Sequence, residues 1–499
     1  MRMVKKRVRA KPFHEHKVAS RLGLDRGYVR REIVAELNSN EIMRTPKELS
    51  LELDFAALTT SYQAAVTLFN RALARESQPL SVMTINDIVA RYGAFINQAE
   101  LAHATEIFRK FGFDDDGNIV DTSRLPEILG DKPPSEISDP DVLSNALRLE
   151  LGLELGWVAP SDTFSRQASN ALESLANYVV VTIDGVLTKQ QKQYRKTASG
   201  DDNSTSGRSR SLSWPKHELE DRSSDENEED KRFLSNHCAC ICVPNYDPLY
   251  LTAADLGVLG KKIKAAMLEN HLFKGRNVVF LVDGAQDLSI LIKSDFSFVK
   301  YKVILDWHHL AEKIRAGLSC GAAGTAAEKK AFCQRIKDCL WNGDLGSARI
   351  LLCQCRDYPS DKELEQLPDN EKAVLMEQYK IAGILKCKNP KAINRVLTYL
   401  TNKESMIACY RLRKAHGLRN SSNSVEKAND LIISYRQKHN GTSWTRFGST
   451  GLALIRALVL NQREDLWVLK RKVSFKLRAQ SDAIGLNVAN QEDSYMLAV

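Results

Sequence analysis

The sequence predicts a mixed α/β fold with an all-helical insertion, preceded by a mainly helical N-terminal region. Three observations lead to this prediction. Short apolar runs without alternation lie between residues 178 and 305, as in strands that are covered on both faces. Helical patterns separate the later runs, which is typical of parallel strands joined by crossovers. From Ala322 to about His416, apolar residues recur at three- and four-residue spacing, which predicts helices.

The composition is that of a folded protein with an excess of positive charge. The chain has 499 residues, 43% hydrophobic and 27% charged, which is enough core material for several domains. Its 71 Lys and Arg residues exceed its 62 Asp and Glu residues, and this excess mildly favours an anionic partner. No apolar run approaches the roughly 20 residues of a membrane span. We therefore expect a cytoplasmic protein.

The first 45 residues combine a basic arm with a predicted amphipathic helix. Eleven Lys and Arg residues lie between Met1 and Glu32, a density that suits phosphate contacts but also occurs in solvated tails. The helix could contact DNA or dock on the main body, and the sequence leaves both readings open. From Pro46 to about Ala176 the pattern is helical, with a loop near residues 114–141. Asp114 to Gly117 resembles the start of a calcium loop, but the ligand at its twelfth position is missing, so we predict a turn.

The ten cysteines form no pattern typical of a zinc site. The two tight groups, Cys238 to Cys242 and Cys353 to Cys355, have one-residue gaps, whereas paired zinc ligands usually need two to four. We predict reduced, buried cysteines on strands or helices.

The first predicted strand, Tyr178 to Ile183, ends in Asp184-Gly185. Residues 189–196 could form the returning strand of a hairpin, and residues 197–232 are too polar to fold, so we predict a disordered insertion there. Phe233 to Val243 is the next predicted strand, and Ala253 to His271 is a predicted helix.

Two more apolar runs end in acids. Val278 to Val282 ends at Asp283-Gly284, and Val303 to Leu305 ends at Asp306. Helices are predicted after both. Three sequential strands, a helix, a strand, a helix and a strand are the element order of a ribonuclease H-like sheet. In open α/β sheets, side chains converge on ligands at the carboxyl ends of the strands.

The chain returns from the helical insertion through a polar turn at residues 417–424. A helix follows in which Val425, Ala428 and Ile432 can face the sheet while Glu426 and Asp430 lie on another face. The predicted organisation is a basic arm and helix (1–45), a helical domain (46–176), a catalytic domain (177–320 and 417–450) that contains the disordered segment (197–232), a helical insertion (321–416) and a basic helical tail (451–499).

Asp184, Asp283 and Glu426 are the candidate catalytic and metal-binding residues. Two-metal phosphoryl transfer requires carboxylates that converge on divalent cations about 3.5–4 Å apart. Mg²⁺ prefers oxygen ligands and keeps several waters, so a few carboxylates on rigid elements suffice. A single Asp-Gly at a strand end is usually only a turn. Two Asp-Gly strand ends in this order, followed by a glutamate after a long helical insertion, favour a catalytic metal site more than a single one does.

Four segments resemble blocks of bacterial insertion-sequence transposases of the DDE type, in the group akin to Mutator-like elements. These segments are VTIDGVLT, VVFLVDGAQDL, VILDWHHL and SVEKANDLIISYRQKHNGTSW, and the resemblance covers roughly residues 177–450. It implies that Asp184, Asp283 and Glu426 form the catalytic acid triad. It also matches Asp306 and His309 to the family's Cys-or-Asp, two residues, His signature. His309 then lies near the scissile phosphate or only orients the site.

The resemblance implies metal-assisted cleavage of DNA at an element's ends. The freed 3′-hydroxyl then attacks target DNA without a covalent enzyme intermediate. Two Mg²⁺ ions, with Mn²⁺ as a substitute, terminal-repeat and target DNA, a homo-oligomer on DNA and a nucleoid-associated location are the implied cofactors, partners and setting. The predicted phosphate contacts are Lys5, Lys6, Arg7, Arg436 and Lys438, with further basic residues at Arg446 and 470–472.

Some features depart from the family pattern and leave alternatives open. Residues 197–232 interrupt the first hairpin, and the insertion makes Glu426 the least certain acid, with Glu404, Glu377 and Asp430 as competitors. A nuclease or resolvase on the same sheet would share the acids but lack strand transfer. A DNA-binding descendant with a decayed site is the non-enzymatic alternative.

Overall fold

The computed structural model describes residues 46–73, 80–130, 178–191, 233–415, 418–438, 442–462 and 473–480. The predicted basic arm with Lys5, Lys6 and Arg7 lies outside the described residues. So do the predicted helix at 141–156, the segment 197–232 and the basic run 470–472.

The described chain begins with four helices, of which the first three lie where helices are predicted and the fourth lies inside the predicted loop at 114–141. They are α1 (Pro46–Leu58), α2 (Tyr62–Ala72), α3 (Val82–Lys110) and the short α4 (Leu125–Leu129), which follows a 3-10 turn at Thr122–Arg124. The Asp114 region is a tight turn, because the Asp114 carboxylate accepts hydrogen bonds from the backbone N–H groups of Asp116 and Asn118. The interpretation of this segment as a turn is confirmed.

Five strands form one mixed sheet in the spatial order β3-β2-β1-β4-β5. Strands β1, β4 and β5 pair in parallel, whereas β2 and β3 pair in antiparallel fashion. Helices α5 and α6 connect β3 to β4 and β4 to β5, and α7 follows β5. The bounds are β1 (Tyr178–Lys189), β2 (Phe233–Cys242), β3 (Leu249–Ala253), α5 (Leu256–Glu269), β4 (Asn277–Val282), α6 (Gln286–Asp295), β5 (Tyr301–Leu305) and α7 (Trp307–Gly321). The mixed α/β class and the order of a helix, a strand, a helix and a strand after β3 agree with the prediction. The three strands before that helix differ from it, because β3 was not predicted and the predicted strand at 189–196 is replaced by the continuation of β1 to Lys189.

The expected end of β1 at Asp184-Gly185 is wrong. The strand continues to Lys189, with Val186 and Thr188 buried and Leu187 exposed, which is the alternation of a strand with one covered face. Gly185 serves close packing here, since a Cβ at this position would lie 3.1 Å from the His237 ring. The predicted returning strand at 189–196 is therefore also wrong for its described residues: β1 ends at Lys189, and Gln190 forms a bridge with Trp444.

The insertion is helical, as predicted. Its helices are α8 (Ala326–Trp341), α9 (Leu345–Arg356), α10 (Asp361–Glu365), α11 (Asp369–Ile381), α12 (Pro390–Asn402) and α13 (Tyr410–Ala415). Two of them begin with capping boxes, at Thr325 and at Ser360. The second capping box starts α10 inside residues 356–371, a stretch rich in Asp and Pro for which the sequence predicts a loop, so that prediction is wrong at Asp361–Glu365.

Beyond the insertion, the chain forms α14 (Asn423–Asn429), a π-helical segment (Asp430–Ser434), α15 (Tyr435–Gln437) and α16 (Arg446–Leu460). Val425, Ala428 and Ile432 are fully buried, and Glu426 and Asp430 are exposed, as the pattern predicts.

The chain divides into two compact units. The first contains residues 1–94, 186–236 and 431–455, and the second contains residues 95–185, 237–430 and 456–499. In the first unit, Gly93 lies so close to the backbone of Gly451 that a Cβ on Gly93 would overlap it, at 2.1 Å from the Gly451 Cα. The second unit contains the paired residues of β1, β4 and β5, and all the candidate catalytic acids. The division differs from the predicted domain boundaries, because β1 and β2 both run from one unit into the other.

All ten cysteines are free thiols. In the two tight groups, Cys238, Cys240, Cys242 and Cys355 are buried as predicted, whereas Cys353 is only half-buried. Among the helices of the described ranges, none combines the length and the apolar character needed to cross a membrane.

Candidate active site

Parallel pairing brings the first two predicted acids to one edge of the sheet. The pairing of β1 with β4 ends at Thr182 and Leu281, and Asp184 and Asp283 each follow two residues later. Because side chains alternate along a strand, each acid lies on the same side as the paired residue before it. On the next strand, Leu305 pairs with Val282, and the Asp306 N–H then donates to the Val282 carbonyl at 2.8 Å.

Asp184 and Asp283 are half-buried and only partly engaged in hydrogen bonds. Asp184 accepts one hydrogen bond on each oxygen, from Gly185 N at 2.7 Å and from Asn429 Nδ2 at 2.6 Å. The Asp283 Oδ1 accepts a bond from Ala285 N at 2.8 Å. Since a carboxylate offers about four lone-pair sites, both residues keep acceptor capacity for a ligand.

Asp306 is fully buried, and its four lone-pair sites are in use. Its Oδ1 accepts from His309 N at 2.8 Å and from His309 Nδ1 at 3.1 Å. Its Oδ2 accepts from Ser422 N and from Ser422 Oγ, the latter at 3.0 Å. Asp306 is thus the N-cap of α7 and an anchor for the turn before α14. Its role in this conformation is to position other residues.

His309 is held by Asp306 so that one ring nitrogen stays available. An ionised carboxylate can only accept, so Nδ1–H donates to Asp306 and Nε2 is left for a ligand or substrate. The hydrogen bond that His309 donates to Asp306 raises the pKa of His309 above its usual value. The negative charges of Asp306, Asp283 and Glu426 add to this effect, and burial opposes it.

Glu426 joins this cluster from α14. Its Oε1 accepts a hydrogen bond from Ser422 Oγ at 3.3 Å, and Ser422 is the residue bound to Asp306. The ligand atoms of Asp306, His309 and Glu426 all lie within 4.8 Å of one another. This close group shares only Glu426 with the predicted metal set of Asp184, Asp283 and Glu426. The charges of Asp283 and Glu426 nevertheless act on both Asp184 and His309.

The surroundings of Asp184 and Asp306 shift the pKa values of these two carboxyl groups in opposite directions. Burial raises the pKa of Asp184, and the nearby charges of Asp283 and Glu426 raise it further, while the Gly185 N–H and His309 oppose the shift. Burial also raises the pKa of Asp306, but the hydrogen bonds from His309 and Ser422 outweigh it and lower that pKa to about 2. The raised pKa of Asp184 beside other acidic groups is the electrostatic setting in which a cation binds favourably.

The turn before α14 is fixed by bonds to β5 and to the insertion. The Tyr410 hydroxyl donates to the Leu305 carbonyl at 2.9 Å, and Asn420 Nδ2 donates to the Tyr410 carbonyl at 2.6 Å. Buried Arg413 donates to Asn420 Oδ1 and to the Arg419 carbonyl. The insertion thereby holds the segment that carries Glu426 near the end of β5.

The competing acids have other partners. Glu404 forms an ion pair with Arg349 at 2.9 Å, and Glu377 lies 3.9 Å from Lys380 on α11. Asp430 follows α14 and begins the π-helical segment. Glu426 is the late acid that influences both Asp184 and His309.

The prediction that Arg436 contacts DNA is wrong for this conformation. The side chain is 2% exposed and lies over the rings of Tyr62 and Trp444, at 4.6 and 5.5 Å from their centroids. Its charge is used in cation–π packing. Lys438 is exposed and stays a candidate phosphate contact.

Mutation can distinguish the packing role of Arg436 from the proposed DNA contact of Lys438. We expect Arg436→Ala to lower the free energy of unfolding by about 2 kcal/mol, because it removes two desolvated cation–π contacts. Lys438→Ala should leave stability unchanged and reduce the slope of log binding constant against log salt by about 1. Denaturant unfolding and DNA titration at several salt concentrations check both. A salt slope changed by Arg436→Ala alone would contradict this assignment.

Sequence reasoning missed two residues of the site, Ser422 and Asn429. Ser422 connects Asp306 to Glu426, and Asn429 binds Asp184. The only sequence signal was their spacing, four residues before and three residues after Glu426, which places all three on adjacent helical turns.

No family model matches the chain, and no curated protein matches its sequence.

Proposed function

We propose that the chain is a DDE-type DNA transposase with a ribonuclease H-like catalytic domain. The single observation that carries the proposal is that Asp184 and Asp283 each lie two residues beyond the last paired residues of the neighbouring parallel strands β1 and β4, with Glu426 following the helical insertion and acting on Asp184. The mixed sheet supports it, because three strands, a helix, a strand, a helix and a strand follow one another along the chain, which is the element order of a ribonuclease H-like sheet.

The donor set suits a hard divalent cation. Asp184, Asp283 and Glu426 supply carboxylate oxygens with spare acceptor capacity, which is the ligand type that Mg²⁺ and Mn²⁺ prefer. When bound, such cations promote attack on a phosphodiester and stabilise the leaving oxygen. Asp306 is not required as a ligand, because its lone pairs are already used.

The remaining residues of the site would orient the substrate. His309 Nε2 can donate to a phosphate oxygen when the ring is protonated, and the raised pKa of His309 favours that form. Lys438 belongs to the other compact unit, and as an exposed cation it is proposed separately as a salt-sensitive contact with the DNA backbone. These groups support cleavage and joining of DNA strands.

The test is cleavage and joining by the full chain. The DNA is a supercoiled plasmid that carries the sequences flanking the protein's own coding region, with a second plasmid as target, because a transposase acts on the ends of its own element. We expect Mg²⁺-dependent cleavage and joined products, both abolished by EDTA. Cleavage without joined products would support the nuclease alternative, and binding without cleavage would support a DNA-binding protein.

A further inference from the structure

Asn429 lies beside the candidate catalytic acids and is assigned no role by the proposed function. It is the last residue of α14, three positions after Glu426, and it is 5% exposed. Its Nδ2 donates to Asp184 Oδ2 at 2.6 Å. One short helix therefore carries both an acid of the cluster and the amide that holds another acid.

The other end of the Asn429 amide is unpaired. Its Oδ1 is buried and has no hydrogen-bond partner within the described ranges. A buried acceptor left in this state costs about 1–3 kcal/mol, and such atoms are rare in folded proteins. An apolar side chain would fill the space without this cost. Packing alone therefore does not explain an amide at this position.

The backbone around Asn429 is also unusual. The chain passes directly from α14 into the π-helical segment Asp430–Ser434. Single π-helical turns are uncommon and frequently occur at functional sites, where they adjust the direction of nearby side chains. This local geometry follows immediately after the residue that holds Asp184.

We propose that Asn429 is a positioning residue for divalent-cation binding by Asp184. This inference rests on the proposed function, because it takes Asp184, Asp283 and Glu426 as the cation ligands. The Asn429 amide fixes the Asp184 carboxylate in one orientation and occupies one lone pair of Oδ2. It also offsets part of the repulsion between Asp184 and its acidic neighbours before a cation binds.

The direct test is a titration of the full chain with Mn²⁺ in the absence of DNA. The electron paramagnetic resonance signal of free Mn²⁺ reports how much of the cation is bound. Partners that orient metal ligands typically change metal affinity by about 10–100-fold. We expect Asn429→Ala to weaken Mn²⁺ binding by at least about tenfold on that basis. Asn423→Ala is the matched control, because Asn423 is exposed on the same helix, and it should bind Mn²⁺ like the wild type.

An isosteric variant separates positioning from packing. Asn429→Asp keeps the size of the side chain but places a second carboxylate against Asp184. The metal-free variant should unfold at a lower temperature than the wild type, and Mn²⁺ should raise its unfolding temperature more, because a cation relieves the new repulsion. A residue that only packs would give the same Mn²⁺ response as the wild type, and that result would overturn the inference. This variant also decides the question if Asn429→Ala does not fold.

The test distinguishes two kinds of failure. If Asp184→Asn weakens Mn²⁺ binding and both Asn429 variants bind like the wild type, Asn429 has no positioning role and the cation site stands. If Asp184→Asn and Asp283→Asn both bind Mn²⁺ like the wild type, the cation site is wrong and the proposed function fails with it.

Discussion

Asp184→Asn and Asp283→Asn should each reduce the proposed DNA cleavage by the full chain on the order of 10³-fold or more, because each removes a charged oxygen ligand from the proposed cation site. Asparagine keeps the size of the side chain, and its carbonyl oxygen can still accept the hydrogen bond from Asn429 or from Ala285. The fold should therefore survive while the charge is lost. Initial rates on the supercoiled plasmid, at saturating Mg²⁺, provide the measurement.

Asp287→Asn is the matched control for these variants. Asp287 is an exposed acid in the first turn of α6, four residues after Asp283, and it should keep the wild-type cleavage rate. DNA binding by the Asp184 and Asp283 variants should be no weaker than that of the wild type, since they lose negative charge. Undiminished cleavage by both variants would show that the catalytic acids lie elsewhere.

Asp306→Ala should lower the free energy of unfolding by about 3 kcal/mol, because it removes a buried carboxylate that accepts from four donors and caps α7. The comparison is Asp255→Ala. Asp255 caps α5 in the same way but is exposed, so its loss should cost about 1 kcal/mol. Denaturant unfolding at pH 7 measures both, and equal losses would contradict the anchoring role of Asp306.

The contribution of Asp306 should also depend on pH in a defined window. Its folded-state pKa is about 2, below its usual 3.8, so the ionised group stabilises the folded chain fully above about pH 4. That stabilisation, about 2 kcal/mol, is lost as the pH falls from about 4 towards 2. The difference in free energy of unfolding between the wild type and Asp306→Asn should therefore become smaller as the pH falls over this range. A difference that stays constant from pH 5 to pH 2.5 would rule out the lowered pKa.

The sheet was predictable because its core strands have a distinct local signal. Every residue of β4 is buried, so its sequence is a continuous apolar run, and Gly284 follows with a backbone φ of 87° that favours glycine. Asp283 therefore marks a real strand end. Gly185 follows Asp184 in the same dipeptide, yet β1 continues, because the glycine is needed beside His237. The dipeptide alone cannot distinguish these two uses.

The rest of the site depends on pairs that are far apart in the sequence. Ser422 binds Asp306 across 116 residues, and Asn429 binds Asp184 across 245. Periodicity reports only on neighbours within a few turns, so it predicted the helix of Glu426 and not these bonds. Arg436 was mistaken for a surface residue because a charge in the sequence does not reveal the aromatic rings of Tyr62 and Trp444 that bury it.

The long separation between Asp184 and Asn429 has a consequence for the protein during translation. At about 5–20 residues per second, a ribosome needs roughly 10–50 s to proceed from one to the other. For nearly all of that interval the nascent polypeptide contains Asp184 but lacks Ser422, Glu426 and Asn429. An unfinished chain therefore cannot assemble the acidic cluster before α14 has been synthesised.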